Sequence, residues 1–162
     1  MASRIVVVTG ASGAGKTAAV TRLAARNLAR VTCAFFDSIG VPPPEEMPPD
    51  WQERTTTEWI QRLARAPGDV AVLDGQTRPA FALRAFVEAG VRGGIVLLDC
   101  ARHVRDARLV ARGQPELASH DMHVWAAYLC GQADALGLPV IDTTALDIEQ
   151  ATDALVAHVL GP

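Results

Sequence analysis

An α/β fold, with helices on both faces of a five-stranded parallel sheet, is predicted for this 162-residue chain by three observations. Short apolar runs recur at Ile5 to Thr9, Val31 to Phe36, Val70 to Leu73, Ile95 to Leu98 and Leu138 to Ile141. None alternates strictly between apolar and polar, which is the pattern of strands covered on both faces. Stretches of helical character separate the runs, so right-handed crossovers should join parallel strands. Aromatic residues make up only 5% of the chain, which suits this arrangement better than a β-sandwich.

Each element has its own signal. The first run ends in a glycine-rich turn, and Lys16 to Ala29 then reads as a helix. After the second run comes Ile39 to Pro49, in which five prolines make a stiff, structured excursion over the ligand side of the sheet. Trp51 to Ala66 is the next helix, closed by Pro67-Gly68 before the third strand. Pro79 to Ala89 is helical, and Gly93-Gly94 punctuates the approach to the fourth strand. A long helical interval covers Ala101 to Leu136, Gly137 and Pro139 bracket the fifth strand, and Ile148 to Leu160 is the last helix. Residues 1–162 are expected to form one domain, since the length and apolar content suit a single core.

Composition excludes several classes. A net charge of −3 provides no basic field for a polyanion, so nucleic acid is not an expected partner. Cys33, Cys100 and Cys130 are odd in number and dispersed, which fits reduced, buried thiols rather than a disulfide framework or a zinc site. The N-terminus lacks the pattern of a signal peptide, and no apolar run approaches the length of a membrane span. A cytoplasmic protein without a membrane partner is expected.

The first strand leads into Gly10-Ala11-Ser12-Gly13-Ala14-Gly15-Lys16-Thr17, a glycine, four residues, then Gly-Lys-Thr. Wrapping a triphosphate requires backbone N–H groups at close range, and glycines keep side chains out of the way. The following helix directs its free N–H groups and positive dipole end at the phosphates, Lys16 reaches the outer ones, and the Thr17 hydroxyl ligates magnesium. Lys16 is the only lysine; the other fourteen basic residues are arginine. A compact ammonium is thus retained where a broad guanidinium fork is unsuitable.

The third strand ends in Asp74-Gly75-Gln76-Thr77-Arg78. Asp74 at the carboxyl edge of the sheet can anchor magnesium's water shell, or it can cap the next helix. Arg105, Arg108 and Arg112 recur at helical spacing, so they share a face that points either at phosphates or, with Arg102, into solvent.

The phosphate loop, Asp74 to Arg78, Arg108-Leu109-Val110-Ala111-Arg112 and the ending Val140-Ile141-Asp142-Thr143-Thr144 resemble, in this order, the adenylate kinase-like family of P-loop kinases over essentially the whole chain. The resemblance implies a three-layer P-loop NTPase fold with a short lid at about 105–121 and a substrate-binding region at about 38–66. It also implies ATP and Mg2+ as cofactors. Residue by residue it makes Lys16 and Thr17 the phosphate and magnesium contacts, Asp74 an outer-sphere magnesium ligand and Arg78 an acceptor-facing cation. Arg108 and Arg112 fall on the lid side, stacking on adenine or clamping the transferring phosphoryl group.

Departures from that pattern point to a particular branch. The lid interval is short, no monophosphate-binding pattern follows the first helix, and the second strand runs Cys33-Ala34-Phe35-Phe36-Asp37-Ser38 into a carboxylate. This is similar to shikimate and gluconate kinases, in which a carboxylate near this point contacts the acceptor. Asp37 can orient a hydroxyl and take its proton, or serve as a turn cap before Ser38 and Gly40. Trp51 and Trp59 can cover a ring-shaped acceptor or belong to the core. Glu45, Glu46, Asp50 and Glu53 make the region acidic, which suits a polyol or cationic acceptor better than a second phosphate. His120 and His123 read as ordinary surface or core histidines.

The expected activity is transfer of the γ-phosphoryl group of Mg-ATP to a small acceptor, most simply a hydroxyl, with Lys16, Asp37, Arg108 and Arg112 as catalytic groups. The expected acceptor contacts are Asp37, Trp51 and Arg78. Two alternatives stand beside it: a nucleoside monophosphate kinase, and a nucleotide-dependent switch or regulatory ATPase whose output is a partner contact.

Overall fold

The computed structural model describes residues 1–161. At the centre of the sheet, β1 (Arg4–Thr9) pairs in parallel with β3 (Val70–Asp74) on one side and β4 (Arg92–Asp99) on the other. β2 (Val31–Phe35) and β5 (Val140–Asp142) are the parallel edges, giving the order β2-β3-β1-β4-β5. The three-layer fold predicted from the sequence is the one observed.

Alternation along β1 divides the core in two. Ile5 and Val7 face α2 (Trp51–Ala64) and α3 (Pro79–Ala89), packing with Trp59, Ile60, Leu63 and Phe86. Val6 and Val8 face α1 (Lys16–Ala25) and α6 (Ile148–Leu160), packing with Val20, Leu23, Leu155 and Val159. All four β1 side chains are buried, so each contributes about 1.5–3 kcal/mol relative to an exposed position. Covering both faces is what removes polar alternation from the strand sequences.

Several boundaries differ from the sequence reading, each for a local reason. The first helix stops at Ala25 because Arg26 N–H turns back to the Arg22 and Leu23 carbonyls, and Asn27 then takes a left-handed φ of 48°. Gly93 and Gly94 lie inside β4, paired with Ile5 and Val6, rather than before it. A Cβ at Gly93 would overlap the Phe86 ring of α3, so this glycine permits close helix–sheet packing rather than a turn. The long interval splits into α4 (Arg102–Ala111) and α5 (His120–Leu136), separated by Gly113 at φ 77° and a 3-10 turn at Pro115–Leu117. Ser119 caps α5 by accepting from Met122 N–H at 3.1 Å. β5 starts late because Leu138 N–H closes the C-terminus of α5 on Ala133 O, 2.8 Å away.

A 3-10 turn at Phe36–Ile39 leads into the proline-rich excursion, which carries another at Pro44–Glu46. With Gly10, Asp74 and Asp99, it gathers at the carboxyl edge of the sheet, where ligands of open parallel sheets bind. No helix among the described residues is long and apolar enough to cross a membrane.

Candidate functional site

The loop from Gly10 to Thr17 joins β1 to α1. Gly13 has φ 87°, and a Cβ there would lie 2.8 Å from Arg105 Cγ, so both backbone shape and space require glycine. The N–H groups of Gly13, Gly15, Lys16 and Thr17 donate to no protein acceptor among the described residues. Together with the N-terminus of α1 they form a nest of donors suited to an anion.

Lys16 is buried. Burial pushes its ammonium below the usual lysine range, Asp74 and Asp37 oppose that shift, and Arg112 adds to it. The loop is fastened from behind by Thr143, a buried residue just past β5. Its hydroxyl donates to Ala14 O at 2.7 Å and accepts from Arg108 Nη1 at 3.0 Å, while Arg108 Nη2 donates to Thr143 O at 2.7 Å. Arg108 Nη1 also approaches Gly13 O at 3.4 Å, so the arginine spans α4, the loop and β5.

Beyond Lys16, the Thr17 hydroxyl donates to Asp74 Oδ2 at 2.7 Å. Asp74 Oδ1 is buried without a partner, a costly state unless a cation or its water shell shares it. Burial raises the Asp74 pKa, Lys16 and the Thr17 hydroxyl lower it, and Asp37 raises it further. The helix after this strand has Arg78 at its N-cap, so Asp74 is not a cap. Hydroxyl and carboxylate oxygens beside a phosphate nest are donors that fit Mg2+.

Among the cavities that adjoin this loop, two bear on the site. The first, about 610 Å³, lies between Gly13, Gly15, Arg108, Arg112 and the Leu146 to Glu149 segment that begins α6. The second, about 310 Å³, is lined by Lys16, Thr17, Asp37, Trp51, Gln52 and Asp74, among others. Asp37 is exposed within the 3-10 turn, and its carboxylate accepts no hydrogen bond from the described residues, which removes the turn-cap reading. Trp51 stands edge-on to Phe36, with ring centroids 5.8 Å apart.

Other sequence-stretch readings resolve differently. Trp59 belongs to the core, its indole donating to Phe36 O at 3.2 Å, and it lines neither of these two cavities. Arg102 is the solvated residue of the α4 stripe, beside Asp106, whereas Arg105 is only 2% exposed and packs under Gly13 with Nη2 3.3 Å from His123 Nδ1. The acidic residues between and after the prolines do not line the second cavity: Glu53 pairs with Arg84, Asp50 with Arg54, and Glu45 and Glu46 are exposed. Arg78 stands outside the second cavity, its Nη1 donating at 2.8 Å to Gln52 Oε1, a residue of that cavity's wall.

Sequence reasoning missed five contributors. Thr143 lay within a quoted stretch, but nothing local marks a threonine whose partners are 129 and 35 residues away. Gln52 and Gln76 tie the elements together, Gln52 donating to Gln76 O at 3.2 Å and Gln76 to Ser12 Oγ at 2.5 Å. Trp125 and Tyr128, at i and i+3 on α5, signalled only an aromatic face.

No protein-family model and no curated protein matches the chain. Solved structures do. A gluconokinase from Sinorhizobium meliloti 1021 superposes with a TM-score of 0.69 at 16% identity, over 97% of this chain and 94% of that one. The tunicamycin resistance protein of Deinococcus radiodurans gives 0.72 at 18% identity, over 99% and 97%. A shikimate kinase from Acinetobacter baumannii in complex with shikimate gives 0.63 at 19% identity, over 99% and 94%. The chain therefore shares the fold of this gluconokinase and this shikimate kinase.

Proposed function

We propose that this protein is an ATP-dependent phosphotransferase that moves a γ-phosphoryl group to a hydroxyl of a small molecule. The observation that carries this reading is that one loop borders two cavities, Gly13 and Gly15 lining the first and the buried Lys16 with Thr17 lining the second: the nucleotide's base and ribose occupy the first, the acceptor the second, and the phosphates lie along the loop between them. A kinase needs both compartments, whereas a nucleotide switch needs only the first.

In this reading the loop N–H groups and Lys16 hold the β- and γ-phosphates and stabilise charge as the phosphoryl group moves. Thr17 and Asp74 hold Mg2+, which supplies further charge neutralisation to the phosphate oxygens. Asp37 orients the acceptor hydroxyl and accepts its proton as the oxygen attacks phosphorus. Arg108 and Arg112 flank the nucleotide side, where Arg108 is already oriented by Thr143, and the segment at about 105–121 acts as the lid. With Asp37 and Asp74 facing it and Lys16 committed to the nucleotide, the second cavity favours a neutral hydroxyl compound over a monophosphate.

The test is ADP production across polyols, sugar acids, nucleosides and nucleoside monophosphates, repeated with Asp37→Asn. Acceptor-dependent turnover should fall roughly 100-fold or more in kcat with little change in KM for ATP. An unchanged rate removes Asp37 from the mechanism.

A further inference from the structure

A third cavity, about 350 Å³, opens on the far side of Arg78 and is lined by Arg78, Asp121, Val124, Trp125 and Tyr128. We propose that it is a second acceptor subsite, taking a flat aromatic or heteroaromatic ring that carries a hydrogen-bond acceptor. The phosphoryl acceptor is then a bipartite molecule, with its hydroxyl at Asp37 and its ring beside Trp125 and Tyr128. This inference rests on the phosphotransferase reading for the role of the subsite, but not for its existence.

Three observations carry it. The Arg78 side chain has one protein acceptor among the described residues, Gln52 Oε1, and no carboxylate within 4.0 Å. Its Nε and Nη2 donors are therefore available to a ligand. The guanidinium carbon lies 5.3 Å from the Trp125 ring centroid, 5.6 Å from Phe81 and 6.0 Å from Tyr128, so aromatic faces surround the free donors. Trp125 and Tyr128 stack on each other at 5.5 Å and 16°, and Tyr128 remains 38% exposed, a preformed flat surface presented to the cavity's occupant.

The chemistry narrows the occupant. A simple anion would meet Asp121 as well as Arg78, and a polyol would find aromatic carbon where it needs hydrogen-bond partners. A ring with a carbonyl or ring nitrogen on its edge satisfies both the stack and the guanidinium. Continuity with the acceptor cavity comes from Gln52, which lines that cavity and holds Arg78, so the two compartments share one hydrogen-bonded wall.

Binding is measured by calorimetry or saturation-transfer NMR with uridine and 1-phenylethane-1,2-diol as ring-bearing probes, and glycerol and gluconate as ring-free ones. The 162-residue chain is compared with its Tyr128→Ala, Arg78→Met and Trp51→Leu variants. The expected result is that a ring-bearing probe binds the wild-type protein and that Tyr128→Ala weakens it tenfold or more relative to the ring-free probes. Arg78→Met should weaken uridine more than the phenyl diol. The proposal is overturned if neither ring-bearing probe binds, if Tyr128→Ala binds them unchanged, or if only Trp51→Leu abolishes binding. ADP production separates the two readings. Ring binding lost in Tyr128→Ala without turnover of any acceptor supports the subsite and sinks the kinase; turnover of a ring-free acceptor without ring binding does the reverse.

Discussion

Replacing Thr143 by valine removes a hydroxyl while keeping the shape of the side chain, and the structure sets the size of the effect. The hydroxyl makes a neutral bond to Ala14 O and accepts a charge-assisted bond from Arg108. Such bonds contribute about 1 and about 1.5–3 kcal/mol respectively. Arg108 is half-buried and keeps its bond to Thr143 O, so water and that contact recover part of the second contribution. Ala14 is 1% exposed, which leaves its carbonyl with no such recourse. A loss of about 2–3 kcal/mol is expected, seen in urea denaturation as a lower midpoint at constant slope, with Tm falling roughly 5–10 °C. Because the unpinned carbonyl belongs to the phosphate loop, Mg-ATP affinity measured by calorimetry should also fall about fivefold or more, whereas Thr143→Ser should behave nearly as wild type. A stability loss below about 0.5 kcal/mol, or a full loss with unchanged nucleotide affinity, refutes the reasoning that this hydroxyl holds the loop in its binding shape.

Two further outcomes test the fold and its thiols. Gly93→Ala should destabilise the protein by about 3 kcal/mol or more, through overlap of the new methyl with the Phe86 ring, and Phe86→Leu should partly rescue it; additivity of the two changes in denaturation would show that the contact is not responsible. Burial and the neighbouring Asp99 carboxylate push the Cys130 thiol up to about 12, and burial also raises Cys33 and Cys100. At pH 8 roughly one Cys130 in 10,000 is then thiolate, so iodoacetamide should label the native protein at least about tenfold more slowly than the denatured chain, and rapid native labelling of Cys130 by peptide mapping would contradict this.

How far the sequence reaches depends on the distance over which each residue finds its partners. The strands of the sheet and the glycine-rich loop from β1 to α1 are legible because their signals are local: apolar runs for doubly covered strands, and glycines spaced around a turn. The position of Asp74 beside Thr17 follows from strand order alone, since β1 and β3 are neighbours in the sheet. Gly93 misleads because a glycine needed for Phe86 to approach looks, in one dimension, like a glycine needed for a turn. Arg105 misleads in the same way, sharing a helical stripe with Arg102 although the phosphate loop covers only one of them. The Arg78 surroundings are the least legible part, because Gln52, Phe81, Trp125 and Tyr128 come from three helices and converge only in the folded chain.

Titration calorimetry of the wild-type protein and Lys16→Ala with ATP in excess Mg2+ addresses the phosphate nest most directly. Saturable binding is expected for the wild type, weakened about 100-fold or more without the ammonium, while circular dichroism shows both proteins folded. A folded wild-type protein that gives no heat with any nucleoside triphosphate, or an alanine variant that binds as tightly as the parent, contradicts the nucleotide site on which the catalytic reading stands.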